Sequence, residues 1–314
     1  MPVSVLVPSY NHAPFIEQTL RSIFAQTLPP EKLIVIDDGS KDESAEKIEQ
    51  VLQSCPFDYE FVRRKNRGLC ATLNEGYAQT AGEYFAYLGS DDVWLPDFLE
   101  QRVKLLEAHP AAVLAFGHAY LIDEENSIID STANWTNFSD ADMQTLLLRG
   151  TVPPSPGVVY RRRALAKHRW NENSILEDYE LYLKLSADGE FAFDEEISCA
   201  WRQHGWNVSR DFPLMLSEWL AAQERAADYL NISRQQLGQI QTELKFNSVF
   251  DYIRHGKKLA ALNLAMRNFR GAKSAGQLGK ILFRLAVPQN LFKWNRQRKR
   301  NKAIETYGKL KTNL

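Results

Sequence analysis

Apolar residues over the first hundred positions follow two alternating rhythms. The short runs Val3 to Val7, Leu33 to Ile36, Tyr59 to Val62 and Tyr84 to Leu88 suit buried strands. Between them lie stretches with helical spacing. In Phe15 to Ala25 the residues Phe15, Ile16, Leu20, Ile23 and Phe24 share one face behind Pro14, and Glu43 to Leu52, Leu69 to Ala78 and Phe98 to Leu106 follow. Repeated strand–helix units of this kind predict an α/β fold with a largely parallel central sheet flanked by helices. Beyond Pro110 the alternation loosens. Val113 to Phe116 and Val158 to Tyr160 read as strands around a short helix near Asp140 to Arg149. A helix over Leu176 to Ala187 and two further strands, Phe191 to Phe193 and Ile197 to Trp201, follow. From Leu214 onward nearly every window is helical, so the pattern divides the chain into an α/β region, 1–212, and a helical C-terminal region, 213–314.

Composition changes this picture mainly at the far end. With 314 residues, 44% hydrophobic and 25% charged, the chain is long enough for one α/β domain and an appendage. It has no run of about eighteen apolar residues, and Met1 to Val7 enters a strand without the basic stretch and cleavage site of a signal peptide. The expected location is the cytoplasm. Cys55, Cys70 and Cys199 are widely spaced and odd in number, which predicts reduced packing residues rather than a disulfide frame or zinc cluster. The net charge of −1 hides a polarity: from Arg270 onward twelve basic residues face Glu305 alone, a net of +11 that leaves −12 for the rest. Within that tail, Ile281 to Arg296 mixes aromatic and aliphatic residues with basic ones. A cationic amphipathic helix of this type can lie on the inner face of an anionic membrane, each basic residue adding roughly 1 kcal/mol near the surface. A helix packed on the body with a solvated basic end accounts for the same pattern. Nucleic-acid binding is not expected, because no recognised module accompanies the charge.

The candidate chemistry sits at strand ends. Tyr84 to Leu88 feeds into Gly89-Ser90-Asp91-Asp92, and Pro96 opens the next helix. In an open α/β sheet the carboxyl ends of the strands form the ligand crevice, where carboxylates can hold a divalent cation or a ribose. An Asp pair is by itself also an ordinary turn. Ser9-Tyr10-Asn11 and Asp37-Asp38-Gly39-Ser40 follow the first two strands, so polar groups gather along the same edge.

Four blocks occur in order: Val5-Leu6-Val7-Pro8-Ser9-Tyr10-Asn11, Val35-Ile36-Asp37-Asp38-Gly39-Ser40, Gly82 through Asp91-Asp92, and Leu176-Glu177-Asp178-Tyr179-Glu180-Leu181. Together they resemble the nucleotide-sugar-dependent glycosyltransferases of family 2, with the GT-A fold, over roughly Pro2 to Ser209. The resemblance implies that Pro8 and Tyr10 line a base pocket, that Asp38 accepts the imide N–H of uracil, that Asp91 reaches the ribose, and that Asp92 binds Mg²⁺ or Mn²⁺ against the donor diphosphate. Asn74, after Asn66-Arg67-Gly68, falls with the donor-binding residues, and Arg67 suits either a phosphate contact or a solvated loop. Gly89 departs from the family, standing where many members carry the first Asp of an Asp-x-Asp motif.

By the same resemblance Asp178 is the catalytic base of an inverting transfer, and Glu177 orients the acceptor or caps the helix. Trp201 to Ser209 resembles the loop that closes over the diphosphate, with His204 on the metal or a phosphate and Trp206 covering the site. His12, His109, His118, His168 and His255 lie in no comparable setting. The implied activity is metal-dependent transfer from a nucleoside-diphosphate sugar, UDP-linked first and GDP- or dTDP-linked next. The acceptor would be a glycan or lipid-linked glycan of bacterial surface polysaccharide or glycolipid synthesis. A catalytically inactive nucleotide-sugar-binding scaffold and a nucleotidyltransferase are the rival classes. The second would carry a glycine-rich basic loop after the first strand, which Pro8-Ser9-Tyr10-Asn11 is not.

Overall fold

A computed structural model of the chain describes residues 2–135, 137–138, 142–205, 207 and 211–311. Strands β1 (Val3–Ser9), β2 (Lys32–Asp37), β3 (Tyr59–Arg63) and β4 (Tyr84–Tyr87) run parallel in the order β3-β2-β1-β4. They are connected by helices α1 (Ile16–Phe24), α2 (Ser44–Leu52) and α3 (Leu69–Ala78). Buried on both faces, β1 and β4 are covered at every position, which is why they read as unbroken apolar runs. Successive residues serve opposite cores: Leu6, Ile34 and Phe85 face one layer, and Val5, Val35 and Ala86 face the other.

After β4 come β5 (Val93–Trp94), α4 (Phe98–Ala108), β6 (Ala112–Ile122), β7 (Ile128–Ser131), α5 (Met143–Leu148), β8 (Val159–Arg161), α6 (Arg162–Lys167), α7 (Tyr179–Asp188) and β9 (Glu190–Arg202). The sheet continues from β4 as β8-β6-β9-β5, with β8 antiparallel to both neighbours and β7 paired to β6 off the main path. Three of these elements, β5, β7 and α6, are too short to carry a period and were not anticipated from sequence. The two strands expected over 191–201 are one strand. The polar triplet Asp194-Glu195-Glu196 is a bulge, across which the register jumps from Asp194 opposite Gly117 to Ile197 opposite His118. The bulge is held by the buried Arg102 of α4, which donates to Asp194 (3.0 Å), the Glu196 carbonyl (3.3 Å) and Ser198 (3.0 Å). Gly117 makes room for it, since a Cβ there would lie 2.0 Å from an Arg102 nitrogen. Helix α7 starts at Tyr179, three residues later than expected, which leaves Glu177 and Asp178 on the loop that enters it.

The C-terminal helices are α8 (Phe212–Ala226), α9 (Arg234–Arg254), α10 (Lys258–Arg267), α11 (Ala275–Ala286) and α12 (Gln289–Tyr307). Helix α8 shares the main core through Ala222 and Ala226, whereas α9, α10 and α11 build a small core of their own around Phe246, Val249, Ile253, Ala261 and Ile281. The chain then returns to the sheet. Ile128 N–H donates to the Gly308 carbonyl (3.0 Å) and Leu310 N–H to that of Asn126 (2.8 Å), while the Leu310 side chain is buried among Val93, Ile122, Ile128 and Ala200. Among the described residues no helix is long and apolar enough to cross a membrane.

Candidate active site at the strand ends

The loops after β1 and β2 brace one another. Asn11 N–H donates to Ser40 Oγ (2.9 Å), Lys41 N–H to Asn11 Oδ1 (2.8 Å), His12 N–H to Ser44 Oγ (2.9 Å), and Ala13 N–H to Asp42 (3.0 Å). Asp37 folds its own turn by accepting from the Gly39 and Ser40 amides. Asp38, next in sequence, turns toward the loop after β3, where it pairs with Arg64 and accepts from the amides of Arg67 (2.8 Å) and Gly68 (2.8 Å). A carboxylate offers about four acceptor positions, so one remains for a further donor.

Asp91 and Asp92 leave the end of β4 and are buried. Asp92 accepts the Arg202 amide (2.8 Å), and Arg202 Nε donates to the Asp91 carbonyl (2.7 Å). The same guanidinium donates to Gln18 and the Asp123 carbonyl and lies over the Phe15 ring, so the last residue of β9 locks the aspartate loop in place. Two residues on, His204 Nε2 meets Asp91 Oδ2 at 2.8 Å, with its ring stacked on Phe15. From the β1 loop, His12 Nδ1 is 2.8 Å from Ser90 Oγ and 3.7 Å from Asp91 Oδ1. One ligand atom from each of His12, Asp91 and His204 fits within 4.8 Å of the other two.

Burial alone would raise the Asp91 pKa, but the hydrogen bond from His204 and the neighbouring imidazoles bring it below the usual carboxylate value. Asp92 goes the other way: burial first, then the charge of Asp91, push it well up. Burial also lowers His12, against the pull of Asp91.

Glu177 and Asp178, on the loop entering α7, are recessed but reachable by water. Tyr87 at the end of β4 donates its hydroxyl to Glu177 (3.3 Å), and Tyr160 and Tyr182 feel both carboxylates from beneath. Asp178 is pushed well above the ordinary carboxylate range by burial and then by Glu177. Burial raises Glu177 as well, with the charge of Asp91 adding to it, so the two acidic pairs belong to one electrostatic neighbourhood.

Residues 4–169 match the model of the glycosyl transferase family 2. The chain belongs to that family. An uncharacterized glycosyltransferase of Nostoc sp. is 30% identical over 171 residues, 53% of either chain. Chondroitin synthase of Escherichia coli is 25% identical over 66% of this chain and 30% of its own length. The chain thus spans about half, or less, of these curated relatives. Among solved structures, Staphylococcus aureus TarS in complex with UDP-GlcNAc aligns with a TM-score of 0.60 at 15% identity, covering 98% of this chain and 90% of that one. The mannosyltransferase PcManGT of Pyrobaculum calidifontis, in complex with GDP-Man and Mn²⁺, aligns with 0.64 at 16%, covering 98% and 86%. The mostly parallel sheet with flanking helices is therefore the GT-A fold of these transferases.

Within this family-2 frame the structure brings Asp91, Asp92, Glu177, Asp178 and His204 together, and His204 contacts Asp91 rather than Asp92. Pro8 is buried in β1, and Tyr10 stands half exposed just past it, at the same edge as Asp38. Asn74 has its amide engaged: it donates to the Trp170 carbonyl and Glu172 and accepts the Trp170 amide, which ties α3 to the segment leading into Glu177. Arg67 points its guanidinium at Glu75. Trp206 lies outside the described residues. Sequence reasoning set His12 aside, yet it joins the Asp91 cluster. The usable signal was its position, three residues past the first strand on the crevice edge.

The glycine that breaks the Asp-x-Asp pattern has a steric reason. A Cβ on Gly89 would lie 3.0 Å from Asp91 Oδ1 and 3.1 Å from Asp92 Oδ2, and both carboxylates are held by other partners. Gly89→Ala is expected to cost about 1–3 kcal/mol of stability, the usual scale of overpacking, measured by urea denaturation.

Proposed function

We propose that this chain is an inverting, metal-dependent glycosyltransferase that moves a sugar from a nucleoside-diphosphate donor, a UDP-sugar first, to a hydroxyl of a glycan or lipid-linked glycan acceptor. The observation that carries the reading is the juxtaposition of the buried Asp91–Asp92–His204 cluster with the recessed Glu177–Asp178 pair at one sheet edge. Donor class draws support from relatives of the fold: TarS with UDP-GlcNAc, and a Mycobacterium tuberculosis glucosyl-3-phosphoglycerate synthase with Mg²⁺ and UDP. Chondroitin and hyaluronan synthases among the relatives support a polysaccharide or glycolipid product.

The residues fit a divalent cation. Asp91, His204 and His12 offer one oxygen and two nitrogens within reach of a common centre, and a mixed set of this kind suits Mn²⁺ better than the all-oxygen shell Mg²⁺ favours. Asp92, raised by burial and then by the charge of Asp91, lies where a cation would relieve that repulsion. When bound, the ion would stabilise the negative charge that develops on the departing diphosphate. Tyr10 offers a ring face to the nucleobase, and the open acceptor position of Asp38 suits an imide N–H.

Asp178 takes the proton of the acceptor hydroxyl as that oxygen attacks the anomeric carbon from the side opposite the leaving group. Burial and the charge of Glu177 raise its affinity for a proton, which makes it a stronger base once ionised. Tyr87, by its hydrogen bond, holds Glu177 beside it.

Asp178→Asn is expected to keep the fold and donor binding while transfer falls at least about a hundredfold, the lower scale of general-base loss; near-normal turnover removes Asp178 from the mechanism. The acid limb of kcat/KM should lie above the ordinary carboxylate range, because the base must be ionised and its pKa is raised. Glu177→Gln removes one cause of that rise and should move the limb to lower pH; an unmoved limb refutes the pairing. Asp91→Ala and Asp92→Ala should each abolish the Mn²⁺-dependent part of UDP binding in calorimetry, and unchanged binding with and without Mn²⁺ defeats the metal assignment.

A further inference from the structure

Helix α11 buries one residue, Ile281, against the core of the C-terminal helices, and exposes Leu278, Leu282 and Phe283, the last two at 65% and 71%. The next helix begins with the same chemistry: Leu291 and Trp294, one turn apart, are 54% and 61% exposed, and α12 buries no residue at all. Scattered apolar side chains are ordinary on a surface, but five large ones on two consecutive helices form a feature that water does not stabilise. Basic residues are interleaved with them. Lys280 belongs to α11, and Lys293, Arg298 and Lys299 belong to α12, all exposed, with Arg298 placed over the Trp294 ring. Arg284 and Arg296 turn back to α9, over the Phe250 ring and onto the Arg254 carbonyl (3.0 Å).

We propose that this α11–α12 surface docks the protein on the headgroup region of an anionic lipid bilayer, lying on the membrane without crossing it. Charge selects this occupant. The segment from Arg270 carries +11, so the same face of a second copy would be repelled. A second copy's acidic body would make a head-to-tail contact, which builds a ring or a filament rather than a symmetric pair. An anionic bilayer offers both halves of the match: acyl boundary for Leu282, Phe283 and Trp294, and phosphates for the exposed Lys280, Lys293, Arg298 and Lys299.

The docking face is also referenced to the site. Arg300 of α12 pairs with Asp123 (2.8 Å), and the Asp123 carbonyl accepts from Arg202, whose amide holds Asp92. The paired backbone at Ser127 and Lys309 fixes the far end of the tail to the body. A membrane-bound molecule would therefore hold its aspartate loop at a set height and tilt above the lipid surface. Lipid binding itself does not depend on the proposed transfer reaction.

The test is flotation of the full chain with vesicles of phosphatidylcholine alone or mixed with phosphatidylglycerol, at low and high salt. The expected result is flotation only with phosphatidylglycerol, weakened by salt. Two triple variants of exposed residues, Leu282→Gln/Phe283→Gln/Trp294→Gln and Lys293→Gln/Arg298→Gln/Lys299→Gln, should each lower partitioning at least about tenfold with unchanged circular dichroism and melting. The proposal is overturned if the parent chain does not float, or if the apolar variant partitions like the parent, which would mean charge adsorption alone. It is equally overturned if light scattering without lipid shows a concentration-dependent oligomer that the apolar variant abolishes.

Discussion

Everything at the crevice depends on holding four carboxylates, Asp91, Asp92, Glu177 and Asp178, in a region from which most water is excluded. Buried like charges are unfavourable unless each is hydrogen-bonded, paired or protonated. Asp91 is met by His204 and falls below the usual carboxylate value, whereas Asp92 with the Arg202 amide, Glu177 with the Tyr87 hydroxyl and Asp178 with the amides at the start of α7 all keep a raised proton affinity. That unequal distribution leaves one carboxylate ionised most readily, Asp91, beside three that hold a proton more tightly.

The surrounding structure is arranged to keep those answers in place. Arg202 serves as the keystone: its amide, its Nε and its two terminal nitrogens reach Asp92, the Asp91 carbonyl, Asp123 and Gln18, joining β9, the aspartate loop, the end of β6 and α1. Phe15 stacks on His204 and lies under Arg202, so a residue at the start of the first helix supports the site as well as the core. Asn74 fixes the segment at Trp170 to Glu172 that leads into Glu177 and Asp178.

The C-terminal helices extend this framework. The tail contributes a β-bridge, a buried Leu310 and the Arg300–Asp123 pair, all near the sheet edge that carries Asp92. Its basic charge is thus mounted on the body at defined points, while Leu282 and Phe283 of α11 and Leu291 and Trp294 of α12 stay exposed.

The local pattern in the chain determined the parallel half of the fold. β1 to β4 and α1 to α4 match their expected spans closely, because buried parallel strands and amphipathic helices write their periods directly into consecutive residues. It also placed Asp37, Asp38, Asp91 and Asp92 along one edge, since strand ends and their loops are contiguous in sequence, whereas Glu177 and Asp178 came from the family resemblance alone. The tertiary structure alone decided the rest. β5, β7 and α6 are too short for a period to show, and the Asp194 bulge looks like a turn until Arg102 arrives from another helix to satisfy it. His12 meets His204 and Asp91, and Asp38 is engaged by Arg64 and the Arg67 and Gly68 amides, through contacts between segments 26 to 192 residues apart. Such partnerships leave no periodic trace. A side chain's hydrogen-bond partner across the fold is fixed by packing and burial, and only a folded chain has those.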